Sequence, residues 1–125
     1  MVDEGGSDTV RRNCARLPET GCTSWLPTVD SLFGVREIVS VIKQGVQGAE
    51  VAGIHMEGPF LEPKDIQGIQ GIDYGIEKPS LEKLHEFIEA AAGHLKIMGV
   101  SVELDGADLI IKELRRMGIV PAVAH

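Results

Sequence analysis

The stretch Gly53-Ile54-His55-Met56-Glu57-Gly58-Pro59-Phe60, GIHMEGPF, decides how the rest of the chain is read. An apolar run of strand type stops on a carboxylate, and glycine and proline follow at once. Burying a lone carboxylate is costly unless it is paired or bound to a cation. Gly58 permits an unusual backbone conformation, and Pro59 brings no N–H to a sheet ladder while restricting the residue before it. Together they end strand pairing directly behind Glu57. The stretch therefore reads as a strand that carries one acidic side chain to the rim of a sheet and then turns away.

Working outward, the same strand occupies residues 50–56, and the pattern on either side alternates. Upstream, Val35, Ile38, Val39, Ile42 and Val46 recur at helical spacing over 35–46, with Gly48 as the stop. Before that, CTSWLPT (22–28) reads as a short strand with Pro27 at its end. Residues 7–19 read as a helix with Ser7 as its cap and Val10, Cys14 and Leu17 on one face, closed by Pro18 and Gly21. Downstream, 57–79 is a long glycine- and proline-bearing segment, and loops of that length inside a small domain are often functional. Ser80 then caps a helix over 80–94, with Leu81, Leu84, Phe87 or Ile88, and Ala91 as its apolar stripe. LKIMGVS (95–101) is a strand. Residues 107–117 form a helix that carries Leu109, Ile110 and Leu114, has Asp105 as a candidate cap and ends at Gly118. IVPAVA (119–124) is a last strand, and His125 follows it.

The order α-β-α-β-α-β-α-β implies parallel βαβ units with right-handed crossovers, hence an α/β fold in one domain spanning 1–125. The strands are nearly all apolar, as expected where both faces of a sheet are covered.

Composition narrows the function. A net charge of -7, with no basic run longer than Arg11-Arg12 or Arg115-Arg116, argues against a nucleic-acid surface. No apolar segment approaches the ~20 residues of a membrane span, and the acidic start MVDEGGSD is unlike a signal peptide. Cys14 and Cys22 lack the spacing of a zinc pair or a redox motif, so free thiols in a cytoplasmic protein are expected. Dinucleotide, phosphate-loop and serine-hydrolase motifs are missing.

In parallel α/β folds, ligands collect where strands end and loops emerge. Four places here occupy such ends: 28–31, Glu57, 103–105 and His125. Glu57 and His125 directly follow apolar runs, and a carboxylate with an imidazole suits a hard-to-borderline metal ion. The plainer alternative is a solvated or Lys/Arg-paired Glu57 and an exposed terminal His125. His55, inside its strand, reads as a hydrogen-bonded interior histidine; His85 and His94 read as surface residues.

Taken in order, GCTSWLPT (21–28), GIHMEGPFLEP (53–63), a Gly- and Gln-bearing loop reaching KPS (78–80) and GI-x-x-x-x-AH (118–125) resemble the N-acetylglucosamine-6-phosphate deacetylases of the amidohydrolase superfamily. The resemblance covers residues 9–125. It implies a metal-dependent (β/α)8 TIM barrel, here a partial one of about four parallel strands, and hydrolysis of N-acetylglucosamine 6-phosphate to glucosamine 6-phosphate and acetate. It implies Glu57 and His125 as ligands of a divalent metal, Zn2+ or Fe2+, with Ala124 standing where the family has glycine. Gln70 falls near the loop position that faces the sugar. Glu103 matches the glutamate of an A-P-E segment, with Val102 in place of the proline.

The family's early H-x-H pair, a further histidine and the catalytic aspartate have no counterpart, so no catalytic residue is assigned. Because a full barrel takes about 250 residues, the resemblance implies a fragment. It lacks the small β-domain and the remaining barrel strands, is inactive alone, and is prone to form homo-oligomers through exposed sheet edges. The alternative of another class is a flavodoxin-like binding or interaction module in which Glu57 and His125 are incidental. A different deacetylase or deaminase specificity is a weaker third.

Overall fold

The apolar run ending at Met56 lies inside a parallel sheet whose strands stand side by side in the order in which they occur along the chain. The computed structural model describes residues 5–63 and 76–125. Helix α1 (Gly6–Arg16) continues into a 3-10 turn (Leu17–Thr20) and is followed by β1 (Ser24–Trp25) and β2 (Thr28–Val29). Then come α2 (Leu32–Gln44), β3 (Glu50–Val51), β4 (Ile54–Met56), α3 (Leu81–Ala90), β5 (Leu95–Val100), α4 (Ala107–Arg116) and β6 (Val120–Val123).

β1 pairs with β3, and β2, β4, β5 and β6 form a four-stranded sheet in that order, every pair parallel. β1 and β2 are two halves of one extended segment that Leu26-Pro27 interrupts, because Pro27 has no N–H to give. β3 and β4 are likewise split at Ala52-Gly53. Bonds across the gaps keep the halves together: the N–H of Ala52 donates to the carbonyl of Trp25 at 2.9 Å, and that of His55 to Pro27 at 3.0 Å.

Right-handed crossovers between strands that follow one another in space put every helix on the same face. The core agrees. Ile54 and Met56 of β4 and Met98 and Val100 of β5 are buried with Val35 and Ile38 of α2, Leu84 and Phe87 of α3, and Ile110 and Leu114 of α4. Because side chains alternate along a strand, Thr28, His55, Ile97 and Gly99 occupy the opposite face; the register Thr28↔His55↔Ile97 fixes this. A flavodoxin-like sheet reverses its strand order to cover both faces. No reversal occurs among the described strands, so that alternative is set aside. The arrangement is that of consecutive βα units of a (β/α)8 barrel, where the second face lines the interior. On β6, at one edge, Val120 and Val123 are 57% and 78% exposed.

Several local expectations are corrected. Ser7 does not cap α1: the helix starts at Gly6 with no side-chain cap, and the Ser7 N–H donates instead to Glu37 Oε2 of α2 at 2.9 Å. Asp105 does not cap α4, whose N-cap is Gly106 in a left-handed conformation with no side-chain bond. α2 starts earlier than its apolar periodicity suggested, because Ser31 Oγ accepts the Gly34 N–H at 3.0 Å, and it ends at Gly45 rather than Gly48. Ser80 does cap α3, accepting the Lys83 N–H. Leu81 is exposed and outside the stripe. Among the described residues, no helix is long and apolar enough to cross a membrane.

Candidate metal centre at the strand ends

β4 delivers Glu57 to the carboxyl rim. The Glu57 N–H donates to the Val29 carbonyl at 2.9 Å, the last rung between these strands. Gly58 follows at φ 91°, a left-handed conformation that suits glycine, and Pro59 adds no donor. The ladder stops there and the chain turns away, as the GIHMEGPF grammar requires.

β6 delivers His125 to the same rim. His125 Nε2 lies 3.0 Å from Glu57 Oε1, with the two side chains 26% and 30% exposed. β5 runs between the strands that carry them. β5 carries glycine at this level, with close neighbours on both sides. A Cβ on Gly99 would stand 3.1 Å from the Ala124 Cβ and 3.6 Å from both the Gly58 nitrogen and the Met56 carbonyl oxygen. A side chain at Gly99 would thus press on Ala124, the residue before His125, and on the backbone either side of Glu57.

The donor set fits a divalent cation in kind and in spacing. A carboxylate oxygen and a neutral imidazole nitrogen are ordinary ligands of Zn2+ and Fe2+. Two atoms each 2.0–2.2 Å from one ion are about 2.8–3.6 Å apart at angles between 90° and tetrahedral, and Glu57 Oε1 and His125 Nε2 already stand 3.0 Å apart. Among the described residues, no group of three or more His, Cys, Asp or Glu side chains converges. The chain's other histidines point elsewhere. His55 Nδ1 lies 3.3 Å from Thr28 Oγ1, and His85 Nε2 lies 2.8 Å from Glu113 Oε1 on the helical face. His94 precedes β5, at the opposite rim. Among the described residues the candidate centre is therefore a pair, Glu57 with His125.

Gln70 falls outside the described residues. Glu103 and Asp105 are exposed in the turn between β5 and α4 and do not join the pair. Asp30, only 6% exposed just after β2, is a strand-end carboxylate that the 28–31 reading did not single out. The apolar-then-acid step Val29-Asp30 repeats the Met56-Glu57 step and was the available signal. Ser101, fully buried behind β5, gave no signal in the sequence.

No protein-family model matches the chain. It is 32% identical over 120 residues to the N-acetylglucosamine-6-phosphate deacetylase of Bacillus subtilis (strain 168), an alignment covering 89% of this chain and 30% of that protein. It is 22% identical, over an alignment of 130 residues, to the N-acetylgalactosamine-6-phosphate deacetylase of Escherichia coli O157:H7, covering 99% of this chain and 34% of that protein. The crystal structure of N-acetyl-D-glucosamine-6-phosphate deacetylase from Mycobacterium smegmatis superposes with a TM-score of 0.61 at 28% identity, covering 82% of this chain and 26% of that one. The chain is thus similar in sequence and fold to a segment of these deacetylases, and it spans about a third of the length of the curated relatives it matches.

Proposed function

We propose that this chain supplies two ligands of the metal centre of a cytoplasmic amidohydrolase that removes the acetyl group from N-acetylglucosamine 6-phosphate, releasing glucosamine 6-phosphate and acetate. The observation that carries the reading is the 3.0 Å approach of Glu57 Oε1 to His125 Nε2 at the carboxyl rim of parallel strands. The similarity to deacetylases of amino-sugar 6-phosphates supports the choice of substrate. Free Cys14 and Cys22 are in keeping with a reducing compartment.

Glu57 and His125 would hold the cation, Zn2+ or Fe2+. When bound, such an ion polarises an amide carbonyl and lowers the pKa of water toward neutrality. The chain's own part is to fix the two donors. β4 and β6 set their positions, Gly99 lets Ala124 and the backbone around Glu57 approach β5 closely, and Gly58 turns the following loop off the sheet. Gln70 is assigned to the loop that faces the sugar. No general base is assigned to this chain. Catalytic zinc sites use three protein ligands as a rule, and among the described residues no third His, Cys, Asp or Glu converges with Glu57 and His125. We therefore expect the chain by itself to bind a cation and to leave the amide bond intact.

The test is calorimetric titration of the purified chain with Zn2+, beside Glu57→Gln and His125→Gln, followed by an acetate-release assay on N-acetylglucosamine 6-phosphate. Binding weakened at least about tenfold by either substitution, with no enzyme-like turnover, supports the proposal. Zn2+ binding that is absent, or indifferent to both substitutions, overturns it.

A further inference from the structure

A single buried hydroxyl ties together the chain segments that carry the two ligands. Ser101 directly follows β5 and is 0% exposed. Its N–H donates to the carbonyl of Phe60 at 2.9 Å, its Oγ–H donates to the carbonyl of Ala124 at 3.0 Å, and its Oγ accepts the N–H of Glu62 at 2.9 Å. Phe60 and Glu62 lie in the segment that opens with Glu57-Gly58-Pro59. Ala124 is joined by one peptide bond to His125. The same two segments touch through side chains, Leu61 packing against Ala124, and the Ala124 N–H donates to Val100 at 3.2 Å.

A buried hydroxyl is costly without partners. Here it satisfies a donor on one side and an acceptor on the other, three residues from the turn after Glu57 and one residue from His125. Alanine at this position would leave the Glu62 N–H and the Ala124 carbonyl without the partner that now joins them. Hydrophobic packing of Leu61 on Ala124 is non-directional, whereas the two bonds through Oγ fix both distance and orientation.

We propose that Ser101 is a positioning residue for the Glu57–His125 pair: its hydroxyl clamps the loop after β4 to the end of β6 and so sets the separation of the two side chains. The geometric claim stands on these contacts alone; its bearing on a cation rests on the function proposed above.

The experiment is nuclear magnetic resonance on the full chain without metal, in wild type, Ser101→Ala and the hydroxyl-retaining Ser101→Thr. Wild type is expected to show a nuclear Overhauser contact between the His125 ring and the Glu57 γ-protons, and slow exchange of the Glu62 amide. Ser101→Ala should lose both while keeping the methyl shifts of the helical core, and Ser101→Thr should keep both. A Glu62 amide that exchanges freely in wild type overturns the proposal whether or not either variant folds. So does an undiminished Glu57–His125 contact in folded Ser101→Ala.

A second arm titrates Co2+ and reads its visible absorption. Ser101→Ala should bind about tenfold more weakly than wild type, the usual effect of a residue that orients a metal ligand, while Ser101→Thr stays close to wild type. If Glu57→Gln binds Co2+ as wild type does, the metal assignment fails, and the metal-free arm still decides the role of Ser101.

Discussion

Glu57 Oε1 and His125 Nε2 stand 3.0 Å apart although 68 positions of sequence and a whole intervening strand separate them. Both side chains are partly exposed, and a surface contact of that kind contributes only about 0–1 kcal/mol. The contact therefore does little for the fold. Glu57→Gln and His125→Gln should each change metal-free stability by less than about 1 kcal/mol. At saturating Zn2+ the difference should become large. A ligand that binds only the native state stabilises by about 2.7 kcal/mol at a hundredfold excess over its dissociation constant, and either variant should forfeit most of that. The double variant should lose little more than either single one, since the two donors act on one ion. Thermal melts of the four proteins with and without Zn2+ check this. Equal metal-induced shifts in all four would refute it.

Gly99 lies against Ala124 on one side and the backbone flanking Glu57 on the other, so a side chain there should push the two segments apart. A valine at 99 must displace the Ala124 Cβ, 3.1 Å from the added Cβ, while β4 backbone stands 3.6 Å away on the other side. Overpacking of this kind costs about 1–3 kcal/mol. The expected result for Gly99→Val is a stability loss in that range together with loss of Zn2+ binding. Glu57 and His125 keep their identity in this variant, so the loss would report geometry. Retained Zn2+ affinity in folded Gly99→Val would mean that close packing at Gly99 does not set the geometry of the pair.

A second carboxylate sets a pH dependence far from the rim. Glu113 on α4 is held down to about 2, first by the hydrogen bonds of Arg116 and then by that of His85 on α3, from its ordinary value of 4.5. Arg116 Nε lies 2.7 Å from Glu113 Oε2, and His85 Nε2 lies 2.8 Å from Oε1. A carboxyl whose folded value lies below its unfolded one stabilises the fold above the unfolded value, and that contribution fades as pH falls toward the folded one. Wild type should thus exceed Glu113→Gln in stability above about pH 5, and the gap should close between 4.5 and about 2. Urea midpoints across that range read the effect. A gap unchanged at the acid end would show that the ionised carboxylate is not its source.

The alternation of helices and strands could be read from the chain because each strand is a short apolar run between turn residues, and because Ser80 sits where a helix must start. What escaped reading depended on distant partners or on backbone conformation. Ser7 resembled a cap, yet its N–H goes to Glu37, thirty positions away on another helix. Asp105 resembled one too, yet Gly106 in the left-handed region takes that place without a side chain. At the rim, Glu57 was visible from its own neighbours: an apolar run, a charge, then Gly-Pro. The sequence paired it with His125 only as two strand-end residues; the 3.0 Å approach depends on how β4, β5 and β6 pack, with Gly99 and Ser101 on the strand between. In LKIMGVS both residues look like unremarkable strand positions. Local chemistry marked which side chain is delivered to the rim, whereas the packing of three parallel strands determines what it meets there.

The face on which the helices pack can be tested within one element. On α4, Leu114 is fully buried against the sheet while Leu109 is 52% exposed. Sequential parallel strands with right-handed crossovers allow only one side for α4, and the burial of Ala107, Ile110 and Leu114 defines it. Leu114→Ala should cost about 2–5 kcal/mol, the range for a buried leucine that leaves a cavity. Leu109→Ala, the same chemical change on the same helix, should stay within about 0.5 kcal/mol of wild type. Chemical denaturation of the two variants side by side makes the comparison. Equal losses would mean that α4 is rotated from the orientation described, and β6, which α4 connects to β5, would then no longer be fixed in the register that carries His125 to Glu57.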